Sequence, residues 1–122
     1  MYIDTRKIRK DSVLWYYLGG GEPKMSKIEL TDIKIIQNLE QKVYKPIIVE
    51  EIILLNLGFK EQSKLGQRRF FAIGNLSVEL ITDGIAVYFC GTLLYFKKYL
   101  HELQNIYLEF ADEEIDLSKL LH

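Results

Sequence analysis

The sequence predicts an α+β protein: a small antiparallel β-rich N-terminal part, a short middle helix, a β-meander and a C-terminal amphipathic helix. Three observations predict it. Short runs with apolar or alternating character fill the N-terminal third and recur over 67–89. Glycine, proline and Asp-Gly pairs separate those runs at turn-like spacing. Phe96, Tyr99, Leu100, Leu103, Ile106, Tyr107 and Phe110 follow helical spacing in a stripe about 120° wide.

In chain order, "SVLWYYL" (12–18) is rich in aromatic and branched residues and reads as a strand. "GGGEP" (19–23) is a loop, because three glycines and a proline leave no regular element there. "KMSKIEL" (24–30) and "DIKIIQ" (32–37) alternate, which suggests a small sheet or half-barrel up to about residue 40. Pro46 disfavours helix at Lys45. A helix is expected from about Val49 to Leu57, with Glu50 and Glu51 in its first turn and Gly58 as its C-terminal cap. "QRRFFAI" (67–73), "LSVELI" (76–81) and "IAVYF" (85–89) read as strands separated by "IGN" and "TDG". "TLLYF" (92–96) fits either a further strand or the first turns of a helix. The last helix is expected over about 97–110, followed by the acidic "ADEEID" (111–116) and a short appendix. The chain is expected to form one domain, 1–122, with a β-rich part (1–44) and a second part (45–122).

Composition narrows the function classes. With 48% hydrophobic residues the 122-residue chain has the means to build a core. The net charge is −1, which gives no global attraction to nucleic acid or anionic membranes. No apolar run approaches the roughly 20 residues needed to span a bilayer. Cys90 is the single cysteine and lies in "IAVYFC", so a buried thiol in a reducing compartment is expected. Together with the charged N-terminus, these features point to the cytoplasm.

No motif carries recognisable catalysis. "HELQN" opens like the zincin pattern His-Glu-x-x-His, but its fifth position is Asn105 and the only other histidine is His122. No metal ligand set and no cofactor is expected. "GGGEPKMS" lacks the spacing of a phosphate loop. Basic residues beside aromatics, Trp15 and Tyr17 near "RKIRK" and Arg68 and Arg69 in "RRFF", are what single-strand binders use, and make these four secondary binding candidates. Alternation in a half-exposed strand produces the same pattern without any ligand. On the last helix, His101, Gln104, Asn105 and Leu108 share the side away from the apolar stripe. Two amides, a histidine and a leucine make a less solvated face than the usual Lys/Glu mixture, which makes it a candidate partner or ligand face, with an ordinary exposed surface as the alternative. Replacement of Glu102 is expected to be nearly neutral.

Two stretches carry a resemblance. "YLHELQNIY" matches a Tyr-x-His-x-Leu-Gln-Asn-x-Tyr motif at Tyr99, His101, Leu103, Gln104, Asn105 and Tyr107. "KPIIVEEIILLNLGF" matches Lys-Pro-Ile…Glu-Glu…Leu-Leu…Leu-Gly-Phe at Lys45, Pro46, Ile47, Glu50, Glu51, Leu54, Leu55, Leu57, Gly58 and Phe59. Both resemble small proteins of unassigned activity encoded by Bacteroidota and their phages and prophages. Val49 stands where that group carries a capping Thr, so the middle helix start is expected to be weaker here. The resemblance implies a non-enzymatic phage or prophage accessory protein that binds a host defence protein or its nucleotide-like signal. A nucleic-acid-binding module and a self-associating structural subunit are the alternatives. A homodimer is expected, with the His101–Gln104–Leu108 face binding a partner or a second copy.

Overall fold

The computed structural model describes residues 7–17, 22–29, 44–62 and 66–121. Two antiparallel sheets carry the strands. The first has β1 (Val13–Tyr16) at its centre, with β2 (Lys24–Lys27) on one side and β3 (Tyr44–Lys45) on the other. Alternation in β1 divides its side chains between two cores. Val13 and Trp15 face the main core, while Leu14 and Tyr16 join Ile8, Ile28 and Tyr44 in a smaller cluster. The alternating "DIKIIQ" run and Gly19, Gly20 and Gly21 lie outside the described residues.

The chain then enters α1 (Glu51–Asn56), whose N-cap is Glu50 rather than position 49 and makes no side-chain cap hydrogen bond. Its C-terminus closes as a Schellman motif: the Phe59 N–H donates to the Leu54 carbonyl and the Gly58 N–H to that of Leu55. Gly58 takes a φ of 98°, the left-handed conformation that this motif requires.

The second sheet is a meander in the order β4 (Lys60–Glu61), β5 (Phe70–Ile73), β6 (Leu76–Ile81), β7 (Gly84–Phe89), β8 (Thr92–Lys97). Gly84 is obligatory at the β6–β7 turn, since a Cβ there would sit 2.5 Å from the Lys97 carbonyl oxygen. Residues 92–96 are strand, which settles the ambiguity of "TLLYF". Cys90 is not buried: the chain reverses after Phe89, leaving Cys90 exposed in the β7–β8 turn at a φ of 51°. An apolar run does not reveal where it turns.

Register sorts the meander into two faces. The row Phe71, Val78, Val87, Tyr95 points inward, as does its neighbour Ile73, Leu76, Phe89, which ends at the exposed Thr92. The inner face packs on α2 (Leu100–Ala111) through Leu100, Leu103 and Ile106, and on α1 through Ile53, Leu54 and Leu57. Phe89 and Phe110 stack with ring centroids 4.7 Å apart. Phe96 is a correction. It precedes the helix, pairs with Ala86 on the outer face and is 67% exposed. Its three-residue spacing to Tyr99 fits a helical stripe, but the β7–β8 ladder takes it first. The C-terminal appendix packs down, with Ile115 and Leu117 buried in the main core.

Leu103 is fully buried at the centre of the α2 seam. Leu103→Ala is expected to cost about 2–5 kcal/mol in denaturant unfolding, and Phe96→Ala within about 0.5 kcal/mol of zero. Equal midpoints for the two variants would contradict this packing.

Candidate binding cleft and the polar face of the last helix

Much of the polar face of α2 is covered by the chain itself. His101 is 2% exposed and Gln104 fully buried. Gln104 grips the start of β1. Its Oε1 accepts from the Val13 N–H at 2.7 Å and its Nε2 donates to the Asp11 carbonyl at 2.8 Å. β2 pairs along the whole of β1, whereas β3 reaches only Trp15 and Tyr16. The Gln104 amide supplies to Asp11 and Val13 the donor and acceptor that a longer β3 would have offered. Asn105 repeats the device one residue on. Its Nδ2 donates to the Lys7 carbonyl at 2.9 Å and its Oδ1 accepts from Arg9 Nε at 2.6 Å. Arg9 also pairs with Glu114 of the acidic tail. His101 stacks on Tyr99, with centroids 5.8 Å apart and planes 8° off parallel. Leu108 is half-buried. The expected dimer face is thus largely taken by the chain's own residues 7–13, because undercharged polar helix faces suit buried backbone as well as they suit a partner.

Glu102 is a second correction, being buried rather than solvated. Its Oε2 accepts from Lys7 Nζ at 2.8 Å, and its Oε1 accepts from the backbone N–H of Tyr99 and Lys98. Burial pushes this carboxyl up, but Lys7 and the two N–H groups outweigh it and hold the group below the ordinary range.

Arg68 and Arg69 lie apart from Trp15 and Tyr17, on the meander, and are engaged. Arg68 makes a fork with Glu79 at 2.8 and 3.0 Å and rests over the Phe70 ring. The Tyr88 hydroxyl donates to the same carboxylate at 3.0 Å. The Arg68 hydrogen bonds hold Glu79 below the ordinary carboxylate range, against the upward push of burial and with help from Tyr88. Arg69 bridges Glu61 and Glu51, joining the meander to α1.

Trp15 and Tyr17 do share a site. They line a cleft of about 470 Å³ between the first sheet and the start of α1, with Lys45, Ile48 and Ile52 on its other walls. That volume falls within the usual range for ligand sites. Lys45 Nζ lies 5.3 Å from the centre of the Tyr17 ring, and Glu50 supplies a carboxylate. Ile52 is 61% exposed on the first turn of α1. A concavity of equal volume, beside the C-terminal tail, sets Lys27 against Asp11, Glu114 and Asp116 and contains no aromatic side chain. Lys45, Ile48 and Ile52 had no signal in the sequence beyond their apolar or basic type. Their exposure follows from how α1 sits against β1 and β3.

Among the described residues no group of three His, Cys, Asp or Glu side chains is placed to hold a metal ion, and no helix is long and apolar enough to cross a membrane. Comparison with protein-family models, curated proteins and solved structures finds no match.

Two outcomes follow. Gln104→Ala strands a buried N–H and a carbonyl, and is expected to destabilise by about 2–4 kcal/mol, with early hydrogen exchange at Val13. Glu79 and Glu102 have depressed folded values, so their contribution is present above the unfolded value and lost as pH falls through the folded one. Wild-type melting temperature is expected to drop below about pH 4.5, the ordinary carboxyl value, and less steeply in Glu79→Gln and Glu102→Gln. Parallel curves for all three proteins would refute the assignment.

Proposed function

We propose that this chain is a non-enzymatic binding protein that docks a partner protein in the Trp15–Lys45–Ile52 cleft. One observation carries the reading: two aromatics, a lysine and exposed isoleucines converge on one concavity at the edge of the main core, where Trp15 forms part of both. Aromatic and aliphatic walls with a sparse polar rim suit an inserted apolar side chain. One lysine beside Glu50 offers little neutralisation for a phosphate chain, which argues for a protein over a nucleotide-like ligand. The candidate chemical groups are dispersed: His101 lies in the helix seam, Cys90 in a turn, and Glu79 under Arg68. The resemblance to phage and prophage proteins of Bacteroidota makes a host defence protein the natural target and the host cytoplasm the place of action. Nucleic-acid binding has weaker support, since Arg68, Arg69 and Arg9 are all paired with carboxylates.

Ile52→Glu tests the reading. This exposed substitution should leave the melting temperature unchanged and abolish stoichiometric capture of a host protein by wild-type bait. Trp15, the only tryptophan, reports on the same cleft. Saturable quenching of its emission by nucleotides, lost in Lys45→Ala, would replace the protein partner with the nucleotide-like ligand. Capture that survives Ile52→Glu would refute the cleft as the site.

A further inference from the structure

We infer that β8 is a self-pairing edge, and that two copies of this chain associate antiparallel through it, extending each five-stranded meander across a two-fold axis. The two described sheets have four edges, and three are poor templates. β3 and β4 are two residues long, and β4 consists of exposed Lys60 and Glu61. β2 carries exposed lysines at both ends, Lys24 and Lys27. Short or lysine-bearing edges are how proteins discourage strand addition. β8 has six residues, and among the described residues only β7 pairs with it. Three of the seven large apolar side chains exposed among the described residues stand on it: Leu93, Leu94 and Phe96.

The occupant follows from the strand itself. Among the described residues no strand pairs with the outer row of β8 before the Lys98 carbonyl, which accepts from the Val49 N–H, and such a row of backbone donors and acceptors calls for an extended strand. The bulge leaves Leu94 as the extra residue, so Leu93 opposite Tyr88 and Phe96 opposite Ala86 fall on the same, outer face. An antiparallel register that pairs Phe96 with Leu93 of the second copy forms this contact twice, once on each side of the axis. The same register sets Lys97 opposite Thr92 of the second copy. The two copies of Lys97 then lie about 16 Å apart at roughly 3.3 Å per residue. That exceeds the Debye length of about 8 Å at physiological salt, so their repulsion is screened. Covered area is on the order of 500 Å² per partner, at the small end for a specific contact, so association is weak and concentration-dependent.

Sedimentation velocity over a hundredfold range of protein concentration tests this. The wild type should pass from monomer to dimer mass. Phe96→Glu and, independently, Leu94→Lys should reduce the dimer fraction at least tenfold at unchanged melting temperature. Ile52→Glu should dimerise like wild type, which separates this contact from the partner cleft. A wild type that stays monomeric at the highest concentration would overturn the inference. A dimer that persists in both β8 variants, or disappears in Ile52→Glu, would place the interface elsewhere and overturn it equally.

Discussion

The structure depends on one side-chain amide. Gln104 holds the beginning of β1 to α2 by one accepted and one donated hydrogen bond, the first buried and the second partly so. Inside a protein such bonds gain little net energy, but losing one leaves an orphan group that costs about 1–3 kcal/mol. The pair therefore acts as a specificity device. It fixes the register in which the first sheet meets the helix, and Val13 and Trp15 reach the main core only in that register. Asn105 with Lys7 and Arg9, and Glu102 with Lys7, extend the grip along the same segment.

Placing the polar helix face inside the molecule changes which surfaces are left for partners. α2 faces the meander on one side and residues 7–13 on the other, so neither face is broadly available. Five of the seven large apolar side chains exposed among the described residues fall in two places, Ile48 and Ile52 around the cleft and Leu93, Leu94 and Phe96 on β8. A cleft with aromatic walls and a free strand edge make different demands. The first selects an inserted side chain, the second an extended backbone. The two proposals therefore assign different occupants to the two places, a target protein to the cleft and a second copy to the strand edge.

The arginines show why basic-aromatic pairing is a weak sign of nucleic-acid binding. Arg68 lies over Phe70 and forks to Glu79, which Tyr88 also reaches. That arrangement satisfies a carboxylate on the outer sheet face, beside a half-buried aromatic floor. Arg69 ties β5 to Glu61 of the neighbouring strand and to Glu51 of α1. A phosphate would have to displace carboxylates already in place, and the chain has 17 acidic against 16 basic residues with which to keep them paired.

Much of the fold was legible because its signals are local. Alternation and apolar runs identified β5, β6 and β7 but not the short β4 and left β8 open, turn chemistry placed Thr82 and Asp83 between β6 and β7, Gly58 marked the end of α1, and spacing revealed the buried stripe of α2. The polar face was legible only as unusual. Its amides, histidine and leucine were read as an interface, and the identity of what covers them is a long-range fact: Asp11 and Gln104 are 93 residues apart. Cys90 and Phe96 failed for a related reason, since composition does not tell a core run from one that turns or a helical stripe from a strand that precedes it. Trp15 and Tyr17 were singled out for their chemistry, but Lys45, Ile48 and Ile52 join them only once α1 packs beside the first sheet. Sequence by itself determined the period of each element and hence its inward side. Tertiary structure decided which outward side stayed outward, because a helix or strand has one periodicity but several possible neighbours, and only the assembled chain chooses among them.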